Sequence, residues 1–218
     1  MLLTLLKKEF NLIGRSLGGI LSLFTLSVSV VFIFYTSIEV NEMLSERSVR
    51  GIKWAIIFIL NFVIVSQSLW EERESMGWEA SLSFVSPISL YLAKSFAIWF
   101  CTILVNGALV LVLSVFFQNM SMDRYFGEWL FANLGSGSLV FLGVSLGLIA
   151  FESRLKEIII PLLQLPFSIP LFLFGLEAEH RYWLEPGFYL PSVGLLLFFM
   201  IFYATLGSVM IEILRNEH

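Results

Sequence analysis

The residues of this 218-residue chain that could do chemistry are few, and most of them gather in one stretch. From 70 to 94 the sequence reads WEERESMGWEASLSFVSPISLYLAK. Glu71, Glu72, Glu74 and Glu79 crowd its start, offset only by Arg73. Behind them Met76, Ala80 and Phe84, and likewise Trp78, Leu82 and Val85, fall at helical spacings. Ser86-Pro87 then stops the pattern before Leu90 resumes an apolar run. A charged, then amphipathic, then proline-stopped segment suits a short helix that docks on a partner; it also suits a solvated loop lying on lipid head groups.

Elsewhere the usual catalytic and ligand-binding patterns are missing. No Gly-x-x-x-x-Gly-Lys-Ser/Thr occurs, so the sequence carries no loop to cradle ATP phosphates. Neither His-Glu-x-x-His nor Cys-x-x-Cys is present, so no metal site is expected. The histidines are His180 and His218, and the one cysteine is Cys101. His180 has Tyr182 and Trp183 beside it, an aromatic set that suits haem or, preferably, a membrane rim. A self-contained enzyme or ion-driven pump is poorly served by this inventory; energy would come from another subunit.

The elements that position these residues follow from where charge is absent. Hydrophobic residues make up 58% of the chain and charged ones 14%, against about 45–50% and about 25% in soluble domains. Six windows of 17 to 28 residues contain no Asp, Glu, Lys or Arg: 16–38, 54–70, 95–122, 129–151, 158–176 and 186–211. Each meets the length of about 17–25 residues that a helix needs to cross a bilayer. The hydrophobicity is continuous rather than alternating, which excludes a barrel. The expected fold is therefore an all-α integral membrane protein: one transmembrane domain over 1–218 with helices near 17–38, 53–70, 93–118, 129–151, 158–176 and 189–211. Short outer loops are expected near 39–53, 123–128 and 177–185.

Eight Lys and Arg fall in the segments placed inside with the N-terminus, five in those outside. That bias puts both termini in the cytoplasm. Segment 2–15 is amphipathic, with Leu2, Leu3, Leu5, Leu6, Phe10 and Ile13 set against Lys7, Lys8, Glu9 and Arg15. It is expected to lie on the inner membrane surface; the alternative is a cytoplasmic extension of the first spanning helix. Net charge of −4 argues against nucleic acid as a partner, leaving membrane lipid.

Within the apolar windows, Asn61, Gln67, Asn106 and Gln164 are expected to bond between helices. Gly143 and Gly147 form a small-xxx-small pair. The fifth window carries Pro161, Pro166 and Pro170, which predict a kinked or broken helix buried in a bundle or dimer. Gln164, inside that stretch, is the candidate for a residue near a transport pathway. No ionised pair is expected at membrane depth.

These features resemble the CcmB family, the haem exporter protein B permeases of cytochrome c maturation. The resemblance rests on the acidic cluster with Gly77, the Ser86-Pro87 pair and Ala93-Lys94 ahead of Trp99. It extends through LGSGSLVFLG (134–143) and PLLQLPFSIPLFLFG (161–175), where Leu165, Pro166, Pro170, Leu171 and Phe174 match the fifth-helix pattern. The loop at 152–157, with Glu152 and Glu157 beside Arg154 and Lys156, departs from the more basic, glycine-rich loop of relatives.

The resemblance implies an ABC-2-type permease of six helices with a short cytoplasmic coupling helix between the second and third, in the bacterial inner membrane. Its ATP would sit on a separate ATP-binding-cassette ATPase subunit. A haem-handling membrane protein would be a further partner, haem the cargo of the complex, and a homodimer the working unit. Glu71, Glu72, Glu74, Gly77, Trp78, Glu79, Leu82, Phe84, Ser86 and Pro87 become the ATPase-coupling segment. A permease for lipid, polysaccharide or drug, and a non-transporting scaffold for haem-handling proteins, are the competing readings.

Overall fold

The computed structural model describes residues 2–15, 17–37, 45–74, 77, 81, 84–117, 124–150, 156–185, 187 and 189–216. Their regular structure is entirely helical: α1 Leu2–Arg15, α2 Leu17–Thr36, α3 Glu46–Glu74, α4 Pro87–Phe116, α5 Tyr125–Ile149, α6 Lys156–Leu184 and α7 Tyr189–Asn216. Five of them, α3 to α7, contain stretches long and apolar enough to cross a membrane. Helix α2 has 20 residues, about 30 Å at 1.5 Å per residue, but its described apolar run, Leu21–Thr36, is shorter. Against six expected spans, the described residues thus give five long apolar helices and one shorter one.

The helices do not stop where the uncharged windows stop. Helix α3 already includes Arg47, Arg50 and Lys53, and α6 continues through Glu177, Glu179 and Arg181. The segments expected as loops near 39–53 and 177–185 are therefore largely helical where described. Backbone hydrogen bonding is indifferent to the charge of the side chain, and most of these side chains find partners. At the other end of the bundle, the Ser86-Pro87 stop proves to be a helix start. Ser86 Oγ accepts the Ser89 N–H at 3.4 Å, and Pro87 occupies the first turn of α4, where a missing N–H does no harm.

Helix α5 is the axis of the fold: 94% of its apolar window is buried, and α3, α4, α6 and α7 pack around it. Small residues make this close approach feasible. A Cβ on Gly135 would stand 2.6 Å from the Trp54 ring, and one on Gly175 of α6 would stand 2.8 Å from the same ring. The Trp54 indole thus fills a slot cut by two glycines on different helices. Helix α1 is distinct from α2, the two flanking residue 16, and it docks on α4. Leu5 packs with Leu90 and Ala93, with Leu6 and Val85 against them, and Phe10 meets Phe100 edge-on at 5.4 Å.

Helix α6 is continuous from Lys156 to Leu184 despite its three prolines, so of the two expected forms, kinked or broken, the broken one is not found. Side-chain donors serve carbonyls of the same stretch, Ser168 Oγ at Leu165 O (2.8 Å) and Tyr203 Oη of α7 at Phe167 O (2.5 Å). Within one chain α6 is also not an interior helix. Leu162, Leu165, Ile169 and Leu173 are 45–67% exposed, and Pro166 and Pro170 are exposed with them.

Candidate coupling site

The acidic run closes α3 and leads into an elbow before α4. Trp70 and Glu71 are exposed, whereas Glu72 is 4% exposed and turned inward. Its Oε2 stands 2.5 Å from Nζ of Lys94, itself only 2% exposed. Glu9 of α1 completes the group, with Oε2 3.5 Å from the same ammonium. Lys8 Nζ lies 3.6 Å from Glu9 and 3.9 Å from Glu72. The helix expected to present Glu9 to water instead buries it to 2%. A carboxylate tolerates that only beside a cation.

Between the two helices, Gly77 and Ser81 are helical, and the N–H groups of Phe84 and Val85 both donate to Ser81 O at 3.1 Å. That turn places Phe84 outward, with 85% of its surface exposed. Ser81 Oγ donates to Gly77 O at 2.6 Å and accepts from Lys8 Nζ at 2.8 Å. Of the expected coupling segment, Trp78, Glu79 and Leu82 lie outside the described residues. Glu74 is placed as the last residue of α3, its side chain outside the description. Ser86 and Pro87 serve as the cap of α4. Lys8, Glu9 and Lys94 were missing from the expected set. The available signal was Lys94 itself, a lone cation in an apolar helix start that needs an anion nearby.

A second charge cluster sits at the opposite end of α3. Lys53, 0% exposed, donates to both Glu128 of α5 and Glu179 of α6. Arg50 Nε reaches Glu128 Oε1 at 3.2 Å, and the Trp54 indole N–H donates to Glu179 Oε2 at 2.7 Å. Glu46 extends the array outward, bonding Arg50 at 3.0 Å and Arg124 at 2.9 Å. Three helices are thereby pinned at one level. The hub of the cluster, Lys53 with Glu128 and Glu179, is helical and buried where the sequence predicts loop residues at the end of an apolar window. Lys53 and Glu128 each sit one residue before an uncharged window, so in sequence they look like loop residues, while the helices continue past them.

Between the clusters lies a neutral polar layer. Asn106 Nδ2 of α4 donates to Ser136 Oγ (2.8 Å) and Asn133 Oδ1 (3.1 Å) of α5, and Asn61 Nδ2 of α3 reaches the same Ser136 Oγ at 3.0 Å. These two asparagines are interhelical links, as expected. Gln67 is exposed, on an open groove of about 440 Å³ lined by Gly19, Ser66, Gln67, Trp70 and Glu71. Gln164 is wholly buried, and neither atom of its amide has a hydrogen-bond partner among the described residues. A Cβ on Gly143 of α5 would stand 3.3 Å from its Nε2 and 3.4 Å from Val65 of α3, so small-residue packing makes the amide's space. Pro166 and Pro170 face away from it, outward, and the side chain of Pro161 is outside the description. His180 lies toward the Glu179 end of α6, beside the Tyr182 and Trp183 pair, whose rings meet edge-on at 4.8 Å, with Arg124 over Trp183 at 5.2 Å.

No curated protein matches the sequence. A family model described as CcmB protein matches residues 1–211. The match takes in α1 to α6, the elbow, both charge clusters and nearly all of α7. This chain therefore belongs to the CcmB family.

Proposed function

We propose that the chain is the permease subunit of an ATP-driven complex for haem export or haem-chaperone release in cytochrome c-type biogenesis. Membership of the CcmB family implies a transporter permease component in that process. On this reading α2 is a sixth span, both termini face the cytoplasm of a bacterial inner membrane, and the elbow at 75–86 is a coupling helix that receives a cytoplasmic ATP-binding-cassette ATPase. Phe84 carries the reading. A large aromatic group, 85% exposed beside a charged helix end and outside the spanning stretches found among the described residues, is left without apolar cover from the chain itself. It suits an apolar socket on a partner, with Glu71 exposed alongside for register.

A homodimer belongs to the same proposal. Leu162, Leu165, Pro166, Ile169, Pro170 and Leu173 form one exposed stripe along α6, and a second copy would cover it. Gln164, behind that stripe, is then the polar residue nearest a cargo path, and a haem-handling membrane protein would be the further partner. The test is co-purification of the membrane chain with its ATPase from detergent. Phe84→Asp is expected to abolish capture while Phe84→Trp keeps it; equal capture by wild type and Phe84→Asp would overturn the docking assignment.

A further inference from the structure

We infer that α1 is a working part of the docking elbow, with Lys8 and Glu9 as positioning residues that fix where Phe84 is presented. The inference rests on the docking reading above and adds the element that controls it. A helix that merely floats on a membrane needs an apolar face and a wet polar face. Helix α1 has more than that. Its Glu9 is 2% exposed and joined to Lys94 at the root of α4, while its Lys8 spans from Glu72, near the end of α3, to Ser81 inside the elbow. Both ends of the elbow and its middle are therefore tied to two adjacent residues of α1. An apolar tie reinforces them: Val85, next to Phe84, packs on the Leu5, Leu90 and Ala93 cluster.

The arrangement makes α1 a lever. Lys8 is the exposed partner of the group, with 38% of its side chain accessible, whereas Glu9, Glu72 and Lys94 are at most 3% accessible at the side chain. The buried three set the position of α1 against α3 and α4. Lys8 passes that position on to Ser81, whose own bond to Gly77 O stiffens the elbow's helical turn. Any force applied at Phe84 is then delivered to α1 as well as to α3 and α4.

The test uses the full chain in lipid nanodiscs, with the buried native Cys101 replaced by serine. A spin label on Phe84→Cys reports elbow motion. In a separate preparation with Phe84 intact, ATP turnover of the chain with its ATPase reports coupling. Lys8→Met and Ser81→Ala should each increase label mobility and lower the chain-dependent kcat about tenfold, the worth of one charge-assisted hydrogen bond, with KM for ATP unchanged. Lys8→Arg should restore both readouts, and Lys8→Met with Ser81→Ala should do less than the sum of the two, since one bond is shared between them. Unchanged mobility in Lys8→Met and Ser81→Ala would overturn the inference even if docking stands. ATPase capture that survives Phe84→Asp would instead remove the docking reading, leaving the mobility result to decide whether α1 holds the elbow.

Discussion

Lys53 and Glu72 lie on the same helix, both buried, nineteen residues apart, which at the α-helical rise is about 28 Å along the axis. The hydrocarbon core of a bilayer is ~30 Å thick. Each residue is the hub of a charge cluster, one linking α3 to α5 and α6, the other linking α3 to α4 and α1. The interior charges of the bundle are thus gathered at two levels matching the two faces of a membrane, with only neutral amides and hydroxyls described between them along α3. A charge at a helix centre costs about 2.5–3.5 kcal/mol; at the edges, pairing within the protein replaces the lost water.

Lys53→Met should be among the most damaging single changes. It leaves Glu128 with Arg50, and Glu179 with the Trp54 N–H as its remaining nitrogen donor among the described residues, in an environment that excludes water. Removing one partner of a buried pair costs about 3–5 kcal/mol. Adding Glu179→Gln removes the stranded charge, so the double variant should unfold at a higher temperature than Lys53→Met alone in detergent melts. Simple additivity of the two losses would contradict the shared-cation geometry.

The Trp54 slot predicts an asymmetry among glycines. Gly135→Ala places a methyl 2.6 Å from the Trp54 ring and should cost about 1–3 kcal/mol by overpacking. Gly51→Ala, on the same helix as Trp54 but with nothing within 4 Å of the new methyl, should be neutral or stabilise by up to ~1 kcal/mol through helix propensity. In a Trp54→Leu background the Gly135→Ala loss should nearly vanish. Thermal melts of the four variants check all of this.

The shared acceptor at Ser136 predicts coupling between α3 and α4. Asn106→Leu removes the α4 side of the bridge and should cost about 0.6–2 kcal/mol. Asn61 keeps its own-turn bond to Ile57 O at 2.7 Å, so Asn61→Leu should be milder. In a Ser136→Ala background both effects should shrink, which a double-mutant cycle of unfolding temperatures would reveal.

The long helices were legible because charge-free windows follow directly from the bilayer's intolerance of unpaired charge. Asn61 and Asn106 were legible for a related reason, since an amide in an apolar helix must find a neighbour. The Lys53 cluster was not, because Lys53, Glu128 and Glu179 are separated by 75 and 51 positions and nothing in spacing says that three distant charges meet. The buried face of Glu9 was hidden similarly: amphipathicity assigns it to water, and only the approach of Lys94 makes burial tolerable. The prolines of α6 point to burial in a bundle or a dimer, and within one chain Pro166 and Pro170 face outward, so only the dimer form of that expectation is left for their side of the helix.

Gln164 separates a structural from a functional role more sharply than any other residue. Its amide is buried and bonds to none of the described residues, a state that costs about 1–3 kcal/mol relative to a paired or solvated group. A residue kept only for packing would be improved by a similar-sized apolar side chain. Gln164→Met should therefore leave the unfolding temperature equal or higher, because it removes an unsatisfied amide without opening a cavity. Under the proposed function the same variant should lower haem-dependent cytochrome c maturation in cells, because the unpartnered amide is then held ready for cargo or water in the transporting state. Gln164→Met that is both more stable and fully active would show that the amide serves no path, and Gln164→Met that loses stability would show that its partner lies within the chain.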